Sequence, residues 1–287
     1  MLPRVLTAIV TPFDEHDKID MDSFIELIRF QLLHDCGVVL FGTTGECPTV
    51  SDYERANIYI NVVKNFNENK FVIGVGGNNT KECIHQIDLA KSYGFTNFML
   101  TVPYYNKPTQ HGLEKHFTYI CNLYPQDKFI LYNVPSRCGV NMLPITVKNI
   151  FTNTQNVIAI KEASGDLSQM IQIRELCPNL ELYSGDDGIV LPVLSIGGVG
   201  VISVVSNILP EIVLSMINEY FLGNLSIAQK HFYNLRPFVK FCFIETNPVP
   251  VKYMLSVLSE KESLANVRLP LVGLSNESKK LHQELSV

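Results

Sequence analysis

The sequence predicts an α/β protein: a (β/α)8 TIM barrel with a small C-terminal helical appendage. Three observations carry this expectation. Eight short aliphatic runs recur along the 287 residues, and each is followed by a stretch with helical, amphipathic spacing. Runs such as Val157-Ile158-Ala159-Ile160 have no helical period, the mark of a strand buried on both faces. No G-x-G-x-x-G follows the first run, and Gly74-Val75-Gly76-Gly77 lacks that spacing, which argues against an open doubly wound sheet.

In chain order, strands are expected at Val5–Val10, Val38–Phe41, Phe71–Val75, Asn97–Thr101, Phe129–Tyr132, Val157–Lys161, Glu181–Ser184 and Gly200–Ser203. The first helix is expected from Asp22 to Cys36, closed by Gly37. The second runs from Ser51 to about Asn65 and opens on the capping box Ser51-Asp52-Tyr53-Glu54. Thr80 to Tyr93 follows, stopped by Gly94, and then Gln110 to Leu123. Pro144 to Phe151, Leu167 to Leu176, Gly188 to Ile196 and Pro210 to Leu222 complete the set. A proline suits the first helical turn, where its missing N–H is not needed. The barrel is thus expected over residues 1–224 and a helical region over 225–287, with helices at Leu225–Thr246 and Val249–Leu258 and a polar tail.

Bulk properties narrow the function. Charged residues make up only 18%, the formal net charge is -5, and lysines and arginines are scattered, so no basic face for nucleic acid is expected. Spanning a bilayer takes ~18 consecutive apolar residues. The longest candidate, Ile189 to Ile208, is broken by Pro192, Gly197, Gly198 and Gly200. The start, Met1-Leu2-Pro3-Arg4-Val5, carries no leader pattern, and a cytoplasmic protein acting on small molecules is expected. The seven cysteines are odd in number and form no C-x-x-C; the seven histidines are dispersed, with no H-E-x-x-H. Neither a metal nor a cofactor is expected.

In such barrels, chemistry sits in loops leaving the carboxyl ends of the strands. Lys161 ends the sixth strand, where partial desolvation disfavours the ammonium and exposes a lone pair able to attack a ketone. After the second strand, Gly42-Thr43-Thr44-Gly45-Glu46 offers hydroxyls and backbone N–H groups suited to a small carboxylate; without a P-loop lysine it is no nucleotide cradle. Pro103-Tyr104-Tyr105-Asn106 follows the fourth strand and Tyr132-Asn133-Val134-Pro135-Ser136-Arg137 ends the fifth. Ser184-Gly185-Asp186-Asp187 ends the seventh, and the eighth carries Ile202-Ser203. Each group alone has a bland reading as core filler or solvated surface. Their convergence on one end of the strands favours a site.

These segments, with Asn247-Pro248-Val249-Pro250-Val251-Lys252, resemble the dihydrodipicolinate synthase (4-hydroxy-tetrahydrodipicolinate synthase) family of the class I pyruvate-dependent aldolase superfamily. The likeness runs from Ala8-Ile9-Val10-Thr11-Pro12-Phe13 to Arg268-Leu269-Pro270. It implies a lyase that condenses pyruvate with L-aspartate 4-semialdehyde through a Lys161 Schiff base, the first committed step of diaminopimelate and lysine biosynthesis. Tyr132 is implied as proton shuttle, with Thr43 and Tyr105 as its relay. A phenol with a pKa of ~10 needs such help near neutrality. Thr44 with neighbouring N–H groups would hold the pyruvate carboxylate, and Arg137 the semialdehyde carboxylate through its planar fork. Gly185 and Ile202 would shape the pocket by backbone contacts. The resemblance also implies a homo-oligomer, a dimer of dimers, in which Tyr105 enters a neighbouring subunit's site. Asn78, Glu82 and Tyr104 match polar positions of an allosteric lysine pocket. Asp52 and Arg55 depart from it, and a cation at Arg55 leads us to expect weak or absent lysine inhibition. The alternatives are a Schiff-base aldolase of the N-acetylneuraminate lyase or keto-deoxy-sugar acid type, and a non-catalytic ligand-binding barrel. Arg137 weighs against the first, the intact lysine, tyrosine and threonine set against the second.

Overall fold

A computed structural model describes residues 2–282. Its strands are β1 (Val5–Ala8), β2 (Gly37–Leu40), β3 (Phe71–Val75), β4 (Asn97–Thr101), β5 (Lys128–Asn133), β6 (Val157–Glu162), β7 (Glu181–Ser184) and β8 (Gly200–Ser203). They follow one another in sequence order as a closed parallel barrel, the expected class. The helices are α1 (Met21–Leu33), α2 (Asp52–Asn65), α3 (Thr80–Lys91), α4 (Gln110–Leu123), α5 (Pro135–Cys138) and α6 (Pro144–Thr152). After them come α7 (Leu167–Leu176), α8 (Val190–Ser195), α9 (Pro210–Phe221), α10 (Leu225–Cys242), α11 (Val249–Leu258) and α12 (Asn276–Leu281). No helix among the described residues is long and apolar enough to cross a membrane. The chain gathers into two compact units, one of residues up to Phe66 and from Ser203 on, the other of Asn67–Ile202.

In the first unit, β1 pairs with β2, Leu6 opposite Gly37. The Asp20 side chain caps α1 by accepting from the Ser23 N–H, as a short carboxylate does for an orphan first-turn donor. The expected end of α1 is corrected. It stops at Leu33, and Gly37 opens β2 instead of capping the helix. Asp35 takes the left-handed turn, with φ 55, that glycine usually supplies, and the Cys36 N–H reaches back to the Gln31 carbonyl. The capping box of α2 forms as expected, Ser51 and Glu54 each accepting the other's backbone N–H.

Past β8, α10 ends at Cys242, short of Thr246. The residue before Pro248 resists helical geometry, and the side chains of Glu245 and Asn247 bond elsewhere, to Ser275 and Thr44. The described residues after Leu258 carry more order than the expected polar tail. They form a 3-10 turn at Glu262–Ala265 and helix α12, capped by Ser275. Arg268 ties the segment between them down by donating to the Asp17 and Thr49 carbonyls and the Glu54 carboxylate.

In the second unit, strands β3 to β8 pair in parallel, every residue of β3 and β8 being buried. Tyr132 lies opposite Lys161 and Asn133 opposite Glu162, which puts the first pair on one face of the sheet and the second on the other. Gly94, with φ 93, closes the turn after α3. The helix expected over Gly188–Ile196 is shorter, running only from Val190. The Asp186 side chain captures the Gly188 N–H at 2.7 Å and holds Asp187–Ile189 as a 3-10 turn.

Candidate active site

Lys161 is the only lysine on β6 and is 4% exposed at the strand's carboxyl end. Burial lowers its pKa to about 7, Asp187 opposing with its negative charge and Arg137 adding to the fall with its positive one. The free amine is therefore abundant near neutrality. Its Nζ lies 4.2 Å from the centre of the Tyr132 ring, and Tyr132 itself is 3% exposed. Strand register explains the juxtaposition, because opposite residues of paired strands share a face.

Arg137 sits on α5, a single turn begun by Pro135 and closed by Gly139 at φ 70. Proline fixes the first φ and glycine supplies the left-handed exit, so the sequence Pro-Ser-Arg-Cys-Gly builds a rigid exposed corner. Gly185 has a packing reason to lack a side chain. A Cβ there would fall 2.5 Å from that of Ala163, and its N–H donates to the Glu162 carbonyl at 2.7 Å. Ile202 is buried in β8. Lys161, Tyr132, Arg137 and Asp187 thus share one neighbourhood.

Tyr105 differs from these. It is 84% exposed and held at φ 70, a left-handed conformation costly for a bulky residue. The Asn106 side chain donates to the Asn78 carbonyl at 2.9 Å, drawing the Tyr104–Tyr105 loop onto the start of α3. There Glu82 accepts weakly from Gln86, and Tyr104 is 39% exposed.

In the first unit, Gly42-Thr43-Thr44-Gly45-Glu46 folds as a 3-10 turn with Glu46 left-handed at φ 53. The Gly45 and Glu46 N–H groups are spent inside the turn, on the Gly42 and Thr43 carbonyls. Thr44 is buried and its hydroxyl accepts from Asn247 at 2.9 Å. Thr43 is half-buried. Glu46 pairs with Lys252 at 2.7 Å, both wholly removed from water. Arg55, the cation that departs from the lysine-pocket pattern, is turned into the protein. It is 5% exposed, stacks 4.6 Å from the Phe41 ring, and donates to the Val50 and Cys47 carbonyls. Asp52, on the first turn of the same helix, is exposed. Among the described residues no group of three or more His, Cys, Asp or Glu could hold a metal ion.

The sequence profile of the Dihydrodipicolinate synthetase family matches residues 1–286. The chain belongs to this family. A 4-hydroxy-tetrahydrodipicolinate synthase of Endomicrobium trichonymphae is 43% identical over 281 residues, covering 97% of this chain and 95% of the relative. The dihydrodipicolinate synthase structure from Thermotoga maritima superposes with a TM-score of 0.92 at 36% identity, covering 99% of this chain and 97% of that one. A lysine-bound dihydrodipicolinate synthase from Cyanidioschyzon merolae superposes with 0.93 at 33% identity, with the same coverage. The sequence reading left three contacts unassigned. In the second unit Asp187 lies close enough to Lys161 for its charge to raise the lysine pKa, in the first Asn247 donates to the Thr44 hydroxyl, and in the second Glu162 accepts from Asn133. Adjacent acids at the end of β7 were a readable signal for the first. The other two depend on contacts the sequence does not encode locally.

Proposed function

We propose that the chain condenses pyruvate with L-aspartate 4-semialdehyde to 4-hydroxy-tetrahydrodipicolinate through an imine on Lys161. Family membership supports the lyase reaction. The mechanism rests on one observation: a buried amine with a pKa brought down to about 7 at the end of a strand. Its lone pair adds to C2 of pyruvate, and loss of water leaves the imine. The imine accepts the electrons released when a methyl proton departs, giving an enamine. The enamine carbon bonds to the aldehyde carbon of the second substrate, whose oxygen takes up a proton. The amine of that substrate then attacks the imine carbon, closes the ring and frees Lys161.

Tyr132, 4.2 Å from Lys161 Nζ by its ring centre, is the residue we assign to move these protons. Arg137, on its rigid corner, is assigned to the semialdehyde carboxylate. The family resemblance supports Thr43 and Tyr105 as proton relay, Thr44 for the pyruvate carboxylate, and Gly185 and Ile202 as pocket walls. Exposure and the left-handed backbone of Tyr105 support a homo-oligomer, a dimer of dimers, in which this side chain reaches a neighbouring subunit's site. Asn78, Glu82 and Tyr104 are assigned to an allosteric lysine pocket, with weak or absent inhibition by lysine. A cytoplasmic location fits seven free thiols, six of them buried.

Borohydride reduction with pyruvate, then peptide mass mapping, tests the reading. A reduced pyruvyl adduct is expected on Lys161, and no adduct in Lys161→Arg. Modification at another residue, or at none, overturns it.

A further inference from the structure

Glu162 closes β6 one residue after Lys161 and faces the opposite side of the sheet, toward α7. It is wholly buried. Its two carboxylate oxygens accept from Asn133 Nδ2 at 3.2 and 3.0 Å, from Gln169 Nε2 at 3.1 Å and from the Ser164 N–H at 2.7 Å. Asn133 Nδ2 also donates to Asn141 Oδ1 at 2.7 Å, and its Oδ1 accepts from the Met142 N–H at 3.0 Å. Asn141 and Gln169 then exchange amide bonds at 2.7 and 3.2 Å. Asn133 and Asn141 bracket residues 134–140, the corner that carries Arg137.

The polarity of this network is fixed from its backbone ends. A main-chain N–H can only donate, so Met142 turns the Asn133 oxygen toward itself and its nitrogen toward Asn141 and Glu162. Asn141 must then present oxygen to Asn133 and nitrogen to Gln169, which leaves the Gln169 nitrogen facing Glu162. The Ser164 N–H is a donor as well. The Asn133, Gln169 and Ser164 N–H groups all donate to the carboxylate and favour its anion, against burial, which pushes its pKa up. An isosteric amide at 162 would set donor against donor, and no amide in the chain can flip to relieve it without breaking another bond.

We propose that Glu162 is a positioning residue for the second substrate, clamping residues 134–140 to the end of β6 and so setting Arg137 relative to the Lys161 amine. The Asn133–Asn141 bond closes the corner, and the carboxylate locks that bond to the strand bearing the nucleophile. This inference rests on the assignment of Arg137 to the semialdehyde carboxylate.

Glu162→Gln tests it in the full-length protein. The KM for L-aspartate 4-semialdehyde is expected to rise about tenfold, a loss of about 1.4 kcal/mol in binding as Arg137 shifts but keeps its charge near the carboxylate. Borohydride trapping of pyruvate on Lys161 is expected to stay at the wild-type extent. In an Arg137→Ala background the same change is expected to add less than about twofold, because its effect runs through Arg137. An unchanged KM, an equal loss for both substrates, or a full further increase on Arg137→Ala overturns the proposal. Should Glu162→Gln fail to fold, Asn141→Ala carries the same expectations, as it cuts the link at a half-buried position and leaves Glu162 its donors Asn133, Gln169 and Ser164. Absence of pyruvate trapping in the wild-type protein would sink the functional reading itself. Intact trapping with an unchanged KM sinks only the role of Glu162.

Discussion

Lys161 shows how one side chain acquires its chemistry from placement. An ordinary lysine titrates at ~10.4, leaving about one amine in 2,500 uncharged at pH 7. Burial at the end of β6 brings Lys161 down to about 7, where half of the amine is free. The sign follows from the reactive form being the base. Imine formation with pyruvate is expected to rise about tenfold per pH unit below 7 and to level off above it. Asp187→Asn removes the charge that holds the pKa up and is expected to move the inflection to lower pH. Initial trapping rates across pH measure this, and an inflection near that of a free lysine would refute it.

At the scale of an element, the start of α2 shows a local signal reinforced from afar. Ser51 and Glu54 form the capping box, and Arg268 adds a second set of bonds to the Glu54 carboxylate. Burial pushes Glu54 up, but the bonds from Arg268 and Ser51 outweigh it and bring the pKa down to about 2 from 4.5. A carboxylate depressed in the folded state stabilises fully above its unfolded pKa and loses that contribution as pH falls toward the folded value. Glu54→Gln is expected to cost about 1–2 kcal/mol at pH 7, discounted for the solvent that still reaches the group. The deficit should shrink as pH drops below 4.5. Denaturant unfolding at pH 7 and pH 3 checks it; a deficit equal at both would exclude the carboxylate as its source.

Over the whole molecule, two motifs far apart in the chain are joined by one buried ion pair. Lys252 Nζ donates to Glu46 at 2.7 Å and to the Thr11 carbonyl at 2.8 Å, and lies 4.4 Å from the Phe13 ring centre. The Arg268 N–H takes the other Glu46 oxygen at 3.0 Å. Lys252→Met leaves an uncompensated buried carboxylate and is expected to destabilise by about 3–5 kcal/mol, most of it regained in Glu46→Gln/Lys252→Met. Strictly additive losses in denaturant unfolding would show that the two charges do not act as a pair. The eight strands, the capping box and the strand-end lysine were legible because each is written in neighbouring residues, as period, cap or position. The early stop of α1 was not, since Asp35 took a conformation more often supplied by glycine. Nor was the order in the last stretch, which Arg268 anchors from a distance. By itself the sequence determined the barrel and the family, and it singled out the strand-end lysine. Only the tertiary structure decided that Glu46 meets Lys252, that Asn247 meets Thr44 and that Glu162 locks the Arg137 corner. Such contacts depend on which faces meet after folding, and separation along the chain leaves no periodic trace of them.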